Sequence, residues 1–398
     1  MARYGDDDVL IVAAARTPFG RFGGSLASLN AVELGAHCIA EAVQRAGIEG
    51  ATVDQVIMGT VVTAGMGQVP ARQAAIRAGL PLSVSALTIN KVCASSLKAV
   101  NLGATLIRAG EAEVVIAGGM ESMSGAPYLL PGARFGLRLG NAQVVDAMQL
   151  DGLICPEGNT LMADYGSEVA AEYEVSREDQ DRWAVRSQAR YAEALAGGRL
   201  SDELVPVEVA QRRGAPALVD ADEQPRPLTT FEGLSALTPL HPGGSITPGN
   251  APGINDGAAA IALVSGRRGR ELGLQPLAIW RAQGEAAEPV KYLATVPAYA
   301  LQAALRKLGR KATDLDLLEI NEAFAAVAIT STNLLGVDPQ RVNVNGGAVA
   351  IGHPIGASGA RLLMTLVFEL RRRGGGLGGA TICSGMAQGE ATIVEVPA

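Results

Sequence analysis

Aromatic side chains are scarce in this chain: two tryptophans, six phenylalanines and seven tyrosines make up 4% of 398 residues, while apolar residues as a whole reach 48%. A core with so few rings has to be packed from Ala, Val, Leu and Gly, which points to a tightly packed α/β protein. The length exceeds one ordinary core, so two or more domains are expected. Basic charge is scarce too. Lys and Arg number 33 against 40 Asp and Glu, for a net charge of -7. The longest basic run, Arg371-Arg-Arg373, reads as a helix end complementing its dipole. That balance excludes a nucleic-acid surface. The four cysteines show no short paired spacing, which excludes a disulfide framework and a zinc-ligand set. No apolar run reaches the ~18 residues of a membrane span, so no membrane partner is expected. The opening Met1-Ala-Arg-Tyr-Gly-Asp-Asp-Asp8 is acidic where a signal peptide would be apolar. A cytoplasmic, reducing location is the expectation.

Against that background, three segments stand out, two of them rich in glycine. The run from Asn343 to Arg361 sets His353 among glycines and directly before Pro354, which biases the histidine toward an extended backbone. Ser358 to Met364 then reads as a helix start, so the imidazole lies just before a helix N-terminus and, with an unperturbed pKa near ~6.5, suits a base. Thr88-Ile-Asn-Lys-Val-Cys93-Ala-Ser-Ser places Cys93 where a β-type run gives way to a helical one. A helix start and a neighbouring imidazole are expected to raise its ionised fraction above the few per cent of a free thiol. Ala380-Thr-Ile-Cys383-Ser-Gly385-Met-Ala-Gln-Gly389 closes an apolar strand on a second cysteine and opens another turn. Cys38 in a helical run reads as core packing, His37 as a helix-surface residue and His241 as a loop residue; Cys155 has no assigned role.

The two ends of the chain echo each other. Asp54-Gln-Val-Ile-Met-Gly59 parallels Asp316-Leu-Leu-Glu-Ile-Asn321, and the helix headed by Cys93 parallels the helix that follows His353. The offset of about 260 residues predicts a duplicated βαβ-rich unit with its chemistry at equivalent helix starts. Between the halves, residues 121–244 change character, with loop chemistry around Pro127 and Cys155 and a near capping box, Ser176 to Asp179, opening a strongly helical stretch.

From Val9 to Val396 the chain resembles the thiolases, the acetyl-CoA C-acetyltransferases and 3-ketoacyl-CoA thiolases. The resemblance rests on four motifs in order: the Cys93 segment, Gly249-Asn-Ala-Pro-Gly-Ile-Asn-Asp-Gly-Ala-Ala-Ala260, Asn321-Glu-Ala-Phe324, and the His353 segment followed by Cys383. It implies a thiolase fold of two duplicated βαβαβαββ halves giving a five-layered αβαβα core with an inserted loop domain. Residues 1–120 plus 245–272 would form the N-terminal half, 121–244 the loop domain and 273–398 the C-terminal half. It implies a ping-pong reaction in which Cys93 carries the acyl group, His353 takes the thiol proton, and Cys383 is the acid/base of the second half reaction. By the same resemblance one oxyanion is held by His353 with a water on Asn321, and the other by the backbone N–H groups of Cys93 and Gly385. Arg226, Met162, Ala323 and Phe324 would contact the coenzyme A thioester, which is a substrate; no cofactor is implied. Partners would be acyl-CoA and coenzyme A, and part of the insert, near Leu129 to Asp151, resembles the arm that makes a homotetramer, a dimer of dimers.

Several positions depart from the family pattern. Leu161 stands where a histidine is usual, Tyr165-Gly-Ser-Glu168 replaces Thr-Ala-Glu-Asn, Gly233 and Pro252 replace serines, and Tyr292 to Pro297 is one residue short of the usual acyl-pocket segment. Met386 and Ala387 replace two glycines. Short substrates, acetyl-CoA and acetoacetyl-CoA, are expected, with a broader-range degradative thiolase as the alternative. A decarboxylating 3-ketoacyl synthase would lack a second active thiol, and a catalytically quiet acyl-CoA-binding subunit would not need four reacting side chains. A nicotinamide dehydrogenase is excluded because no Gly-x-Gly-x-x-Gly opens the first βα unit.

Overall fold

Residues 4–398 are described by a computed structural model, so Met1–Arg3 of the acidic start lie outside it. The N-terminal half runs β1 (Val9–Arg16), α1 (Ala31–Ala46), β2 (Gln55–Gly59), α2 (Pro70–Arg77), β3 (Ser85–Ile89), α3 (Ser95–Arg108) and β4 (Val114–Ser122). An insertion carrying α4 (Met162–Glu172) and α5 (Arg177–Ala196) intervenes before β5 (Asn255–Ser265) completes the half. The C-terminal half repeats the order with β6 (Ala278–Ala287), α6 (Val296–Lys307), β7 (Leu317–Ile320), α7 (Ala325–Leu335), α8 (Ser358–Arg372), β8 (Gly376–Ser384) and β9 (Gln388–Val396).

The strand order β7-β8-β9-β6-β1-β5-β4-β2-β3 makes the duplication visible, because each half places its strands in the same sequence outward from the β1–β6 junction. That junction pairs Val9–Ile11 with Ala278–Trp280. The halves differ at one point. Where the N-terminal half has β3, the C-terminal half has a single bridge from Val342 to Leu318. Asn343 turns away there at φ 50, and the Val342 carbonyl accepts from Arg186 and Arg190 of α5 at 2.6 and 2.7 Å.

Apolar alternation at period two gives each sheet two dry faces. Val9 and Ile11 of β1, with Ala259, Ile261 and Leu263 of β5, face a central cluster built on α3 and α8. Leu10 and Val12, with Ala258, Ala260 and Ala262, face the outer cluster of α1 and α2. A matching outer cluster holds α6 and α7 on the C-terminal half. Helix, sheet, paired central helices, sheet, helix: this is the five-layered thiolase fold. The two central helices approach so closely that a Cβ added to Gly359 of α8 would meet Leu97 N of α3 at 2.6 Å. α5 begins with the capping box anticipated from its sequence, Ser176 bonding the Asp179 N–H and Asp179 answering on the Ser176 N–H. No helix among the described residues is long and apolar enough to cross a membrane.

Candidate active site

Cys93 sits two residues before α3 in a turn held by its neighbours' side chains. Asn90 Oδ1 accepts from Val92 N–H at 2.9 Å, while Ser95 Oγ accepts from Lys91 N–H at 2.8 Å and donates to the Val92 carbonyl at 2.6 Å. Val92 takes φ 43, a conformation a β-branched residue rarely adopts. The turn therefore stores local strain next to the sulfur.

His353 lies between a short helix, Ala348–Ile351, and α8. Its backbone N–H donates to Asn255 Oδ1 at 2.9 Å. Its Nδ1 lies 2.6 Å from Ser358 Oγ, and that hydroxyl gives its one proton to the Pro354 carbonyl at 3.0 Å. Ser358 can then only accept from the ring, so Nδ1 carries the proton and Nε2 presents a lone pair. Asn321 Nδ2 lies 3.4 Å from that Nε2, and Asn321 Oδ1 is buried with no protein partner. Cys383 is the penultimate residue of β8 and buried. In the turn beyond it, the Gly385 N–H lies near the Cys93 sulfur and, with Cys93's own N–H, favours its thiolate.

One cavity of about 370 Å³ joins these groups, lined by Cys93, His353, Cys383 and Gly385 and, on its other walls, by Met162, Ala323, Phe324 and Arg226. Asn321 stands behind His353. All nine residues singled out from the sequence thus converge on one place. The family description "Thiolase, N-terminal domain" matches residues 9–267 and "Thiolase, C-terminal domain" matches residues 274–396. The acetyl-CoA acetyltransferase of Pseudomonas aeruginosa is 50% identical over 385 residues, covering 96% of this chain and 98% of the relative. Those of Cupriavidus necator and Schizosaccharomyces pombe are 49% and 44% identical, covering 98% of this chain and 99% and 98% of their own. The chain belongs to the thiolase family.

The electrostatics of this thiolase site reverse one expectation. Enclosure pushes the Cys93 thiol up to about 12, outweighing the two N–H groups that favour its thiolate. Burial, with Arg361 adding to it, depresses His353 to about 3 instead of leaving it near its ordinary value. Cys383 is pushed well up by burial and by the neighbouring Cys93. Burial therefore favours two thiols and a neutral imidazole, where the helix start and imidazole were expected to raise the ionised fraction of Cys93. Desolvation wins because α3's N-terminus and the neutral ring supply only partial charge.

The departures from the family pattern divide by position. Leu161 and Pro252 line the cavity, as does Leu293 from the shortened segment. Gly233 does not; its N–H caps onto Thr230 Oγ1 at 3.1 Å in a short helix. Met386 and Ala387 keep the turn's left-handed backbone without glycine, at φ 62 and 47. Cys155, without a role in the sequence, places its Sγ 3.6 Å from Met386 Sδ.

Sequence reasoning passed over Glu322, Ser358 and Asn255. Glu322, next to Asn321, is buried and accepts from Trp183 Nε1 and Ser187 Oγ of α5, each at 2.8 Å, from Asn343 Nδ2 at 2.9 Å and from Val349 N–H at 3.0 Å. It ties the insertion to both the Asn321 and the His353 segments. All three stand inside quoted motifs, but the partners of Glu322 and Asn255 are distant in sequence and no local pattern announces them.

Proposed function

We propose that the protein is an acyltransferase that forms or cleaves 3-ketoacyl-CoA through an acyl-cysteine, with acetyl-CoA and acetoacetyl-CoA as favoured substrates. The observation that carries this reading is the placement of two thiols and one imidazole lone pair around a single cavity. The relatives, each an acetyl-CoA acetyltransferase, support acetyl-CoA as a substrate.

In the condensing direction, Cys93 gives its proton to His353 Nε2 as its sulfur attacks the thioester carbonyl, and the Cys383 thiol protonates the departing coenzyme A sulfur. Acylation leaves an imidazolium and a Cys383 thiolate. That thiolate removes an α-proton from a second acetyl-CoA, and the carbanion attacks the acyl carbonyl on Cys93. Cys93 leaves as thiolate and recovers the proton from His353, which returns all three groups to their neutral resting forms. Thiolysis is the reverse. Negative charge on the acyl oxygen falls to the N–H groups of Cys93 and Gly385, and charge on the enolate oxygen to His353 and a water held by Asn321, each donor typically worth ~3 kcal/mol to the barrier.

Arg226, exposed at the cavity's edge with no ion pair among the described residues, would take a phosphate of coenzyme A, and Met162, Ala323 and Phe324 its apolar arm and the acyl group. The same reading assigns residues 1–120 plus 245–272 and residues 273–398 to the two halves and 121–244 to the loop domain. It places the protein in the cytoplasm as a homotetramer. Radiolabelled acetyl-CoA, supplied without free coenzyme A, should leave acetyl label, at most one group per chain, on the Cys93 peptide, and Cys93→Ser should retain none. Label elsewhere, or no label on folded wild-type protein, sinks the reading.

A further inference from the structure

Glu121 is fully buried and unused by the chemistry above. It is the eighth of the nine residues of β4, as Cys383 is the eighth of nine in β8, and each faces a glycine on the neighbouring strand, Gly257 and Gly389. The duplication therefore sets a carboxylate where the N-terminal half would hold its counterpart of the second thiol. That carboxylate accepts from Val61 N–H at 3.0 Å, Val62 N–H at 3.2 Å, Gly356 N–H at 2.9 Å and the Thr60 hydroxyl at 3.3 Å.

Thr60 to Val62 continue β2 in the N-terminal half, whereas Gly356 belongs to the His353-Pro-Ile-Gly loop of the other. Gly356 stands two residues before α8, as Cys93 stands two before α3. Ile355 packs with Val61 and Cys93 in one apolar cluster. The fit has little slack: a Cβ on Gly356 would lie 2.6 Å from Glu121 Oε2, and one on Gly119 would lie 1.9 Å from the Gly356 carbonyl oxygen.

We propose that Glu121 is a positioning residue whose carboxylate clamps the His353 loop to the N-terminal half and so sets the imidazole at working distance from Cys93. This rests on the acyl-cysteine reading and deepens it. Burial pushes the carboxyl up to about 7 while the donors from Val62, Val61, Gly356 and Thr60 pull it down, as befits an acid kept for its acceptor geometry.

The test is the rate of Cys93 alkylation by iodoacetamide, followed on the Cys93 peptide of the full chain, together with steady-state kinetics. In Glu121→Gln the amide turns an NH₂ toward backbone donors. Alkylation and kcat should fall about tenfold or more, with KM for the thioester within about twofold, since small misplacements of a base are costly. Glu121→Asp should recover part of the loss. The carboxylate charge disfavours the Cys93 thiolate, so a residue acting through charge alone would make Glu121→Gln alkylate faster. Faster alkylation, or rates within about twofold of wild type, overturns the proposal. Should Glu121→Gln not fold, Thr60→Val removes one donor and should slow alkylation by roughly two- to fivefold; an unchanged rate overturns it equally. Wild-type protein whose Cys93 is no more reactive than Cys383 would defeat the acyl-cysteine reading itself, which separates the two failures.

Discussion

At the scale of single residues, burial favours the neutral forms of the groups that meet at the site. His353 shows this most directly. Its burial favours the neutral ring, so the unfolded chain binds a proton below its ordinary value near 6.5 that the folded chain refuses until about 3. The stabilising contribution is therefore present above about pH 6.5 and is lost as the pH falls from there toward 3. His353→Asn lacks this linkage. Between pH 6 and 5, wild-type unfolding free energy should fall more steeply than that of the variant, by a slope approaching ~1.4 kcal/mol per pH unit. Parallel curves from denaturant titrations would show the imidazole to be solvated. The residues gathered at the cavity were legible in the sequence because the Cys93, His353 and Cys383 segments match a motif set. Their protonation was not, because desolvation is a property of what closes around them.

At the scale of elements, the chemistry depends on two helix starts brought together. α3 carries the Cys93 turn and α8 follows His353, and their contact at Gly359 leaves no room for a methyl group. Gly359→Ala should separate the helices and cost about 1–3 kcal/mol by overpacking. It should also lower kcat/KM by more than the fraction unfolded explains, read by chemical denaturation beside kinetics. Full activity with unchanged stability would mean that the spacing of the helices is not what holds the base near the thiol. The 260-residue echo made these helices legible as equivalents. It did not extend to the third strand of the C-terminal half, where Val342 makes only a bridge because α5 arginines take its carbonyl. A partner contributed by an insertion leaves no trace in the repeat itself.

At the scale of the whole molecule, the insertion is tied to the site and, under the proposed homotetramer, would also supply the assembly arm. Through Trp183, Ser187 and Glu322 it is bonded to the strand end that carries Asn321. Further out, Tyr128–Leu129 pairs with Val145–Asp146 to form an arm on which Phe135 is 84% exposed and Leu139 fully so. Apolar side chains so presented suit burial against another copy. Phe135→Glu with Leu139→Glu should therefore halve the mass seen by light scattering, from tetramer to dimer, with Cys93 still acylated. An unchanged tetramer would place the assembly contacts elsewhere. By itself, the sequence determined the family, the duplication and the side chains that meet at the cavity, because motif chemistry and period-two apolar strands are written in local order. Only the tertiary structure decided which carboxylates hold the site, the tautomer of His353 and the neutrality of both thiols. Those depend on donors, distances and excluded water contributed by segments far apart along the chain.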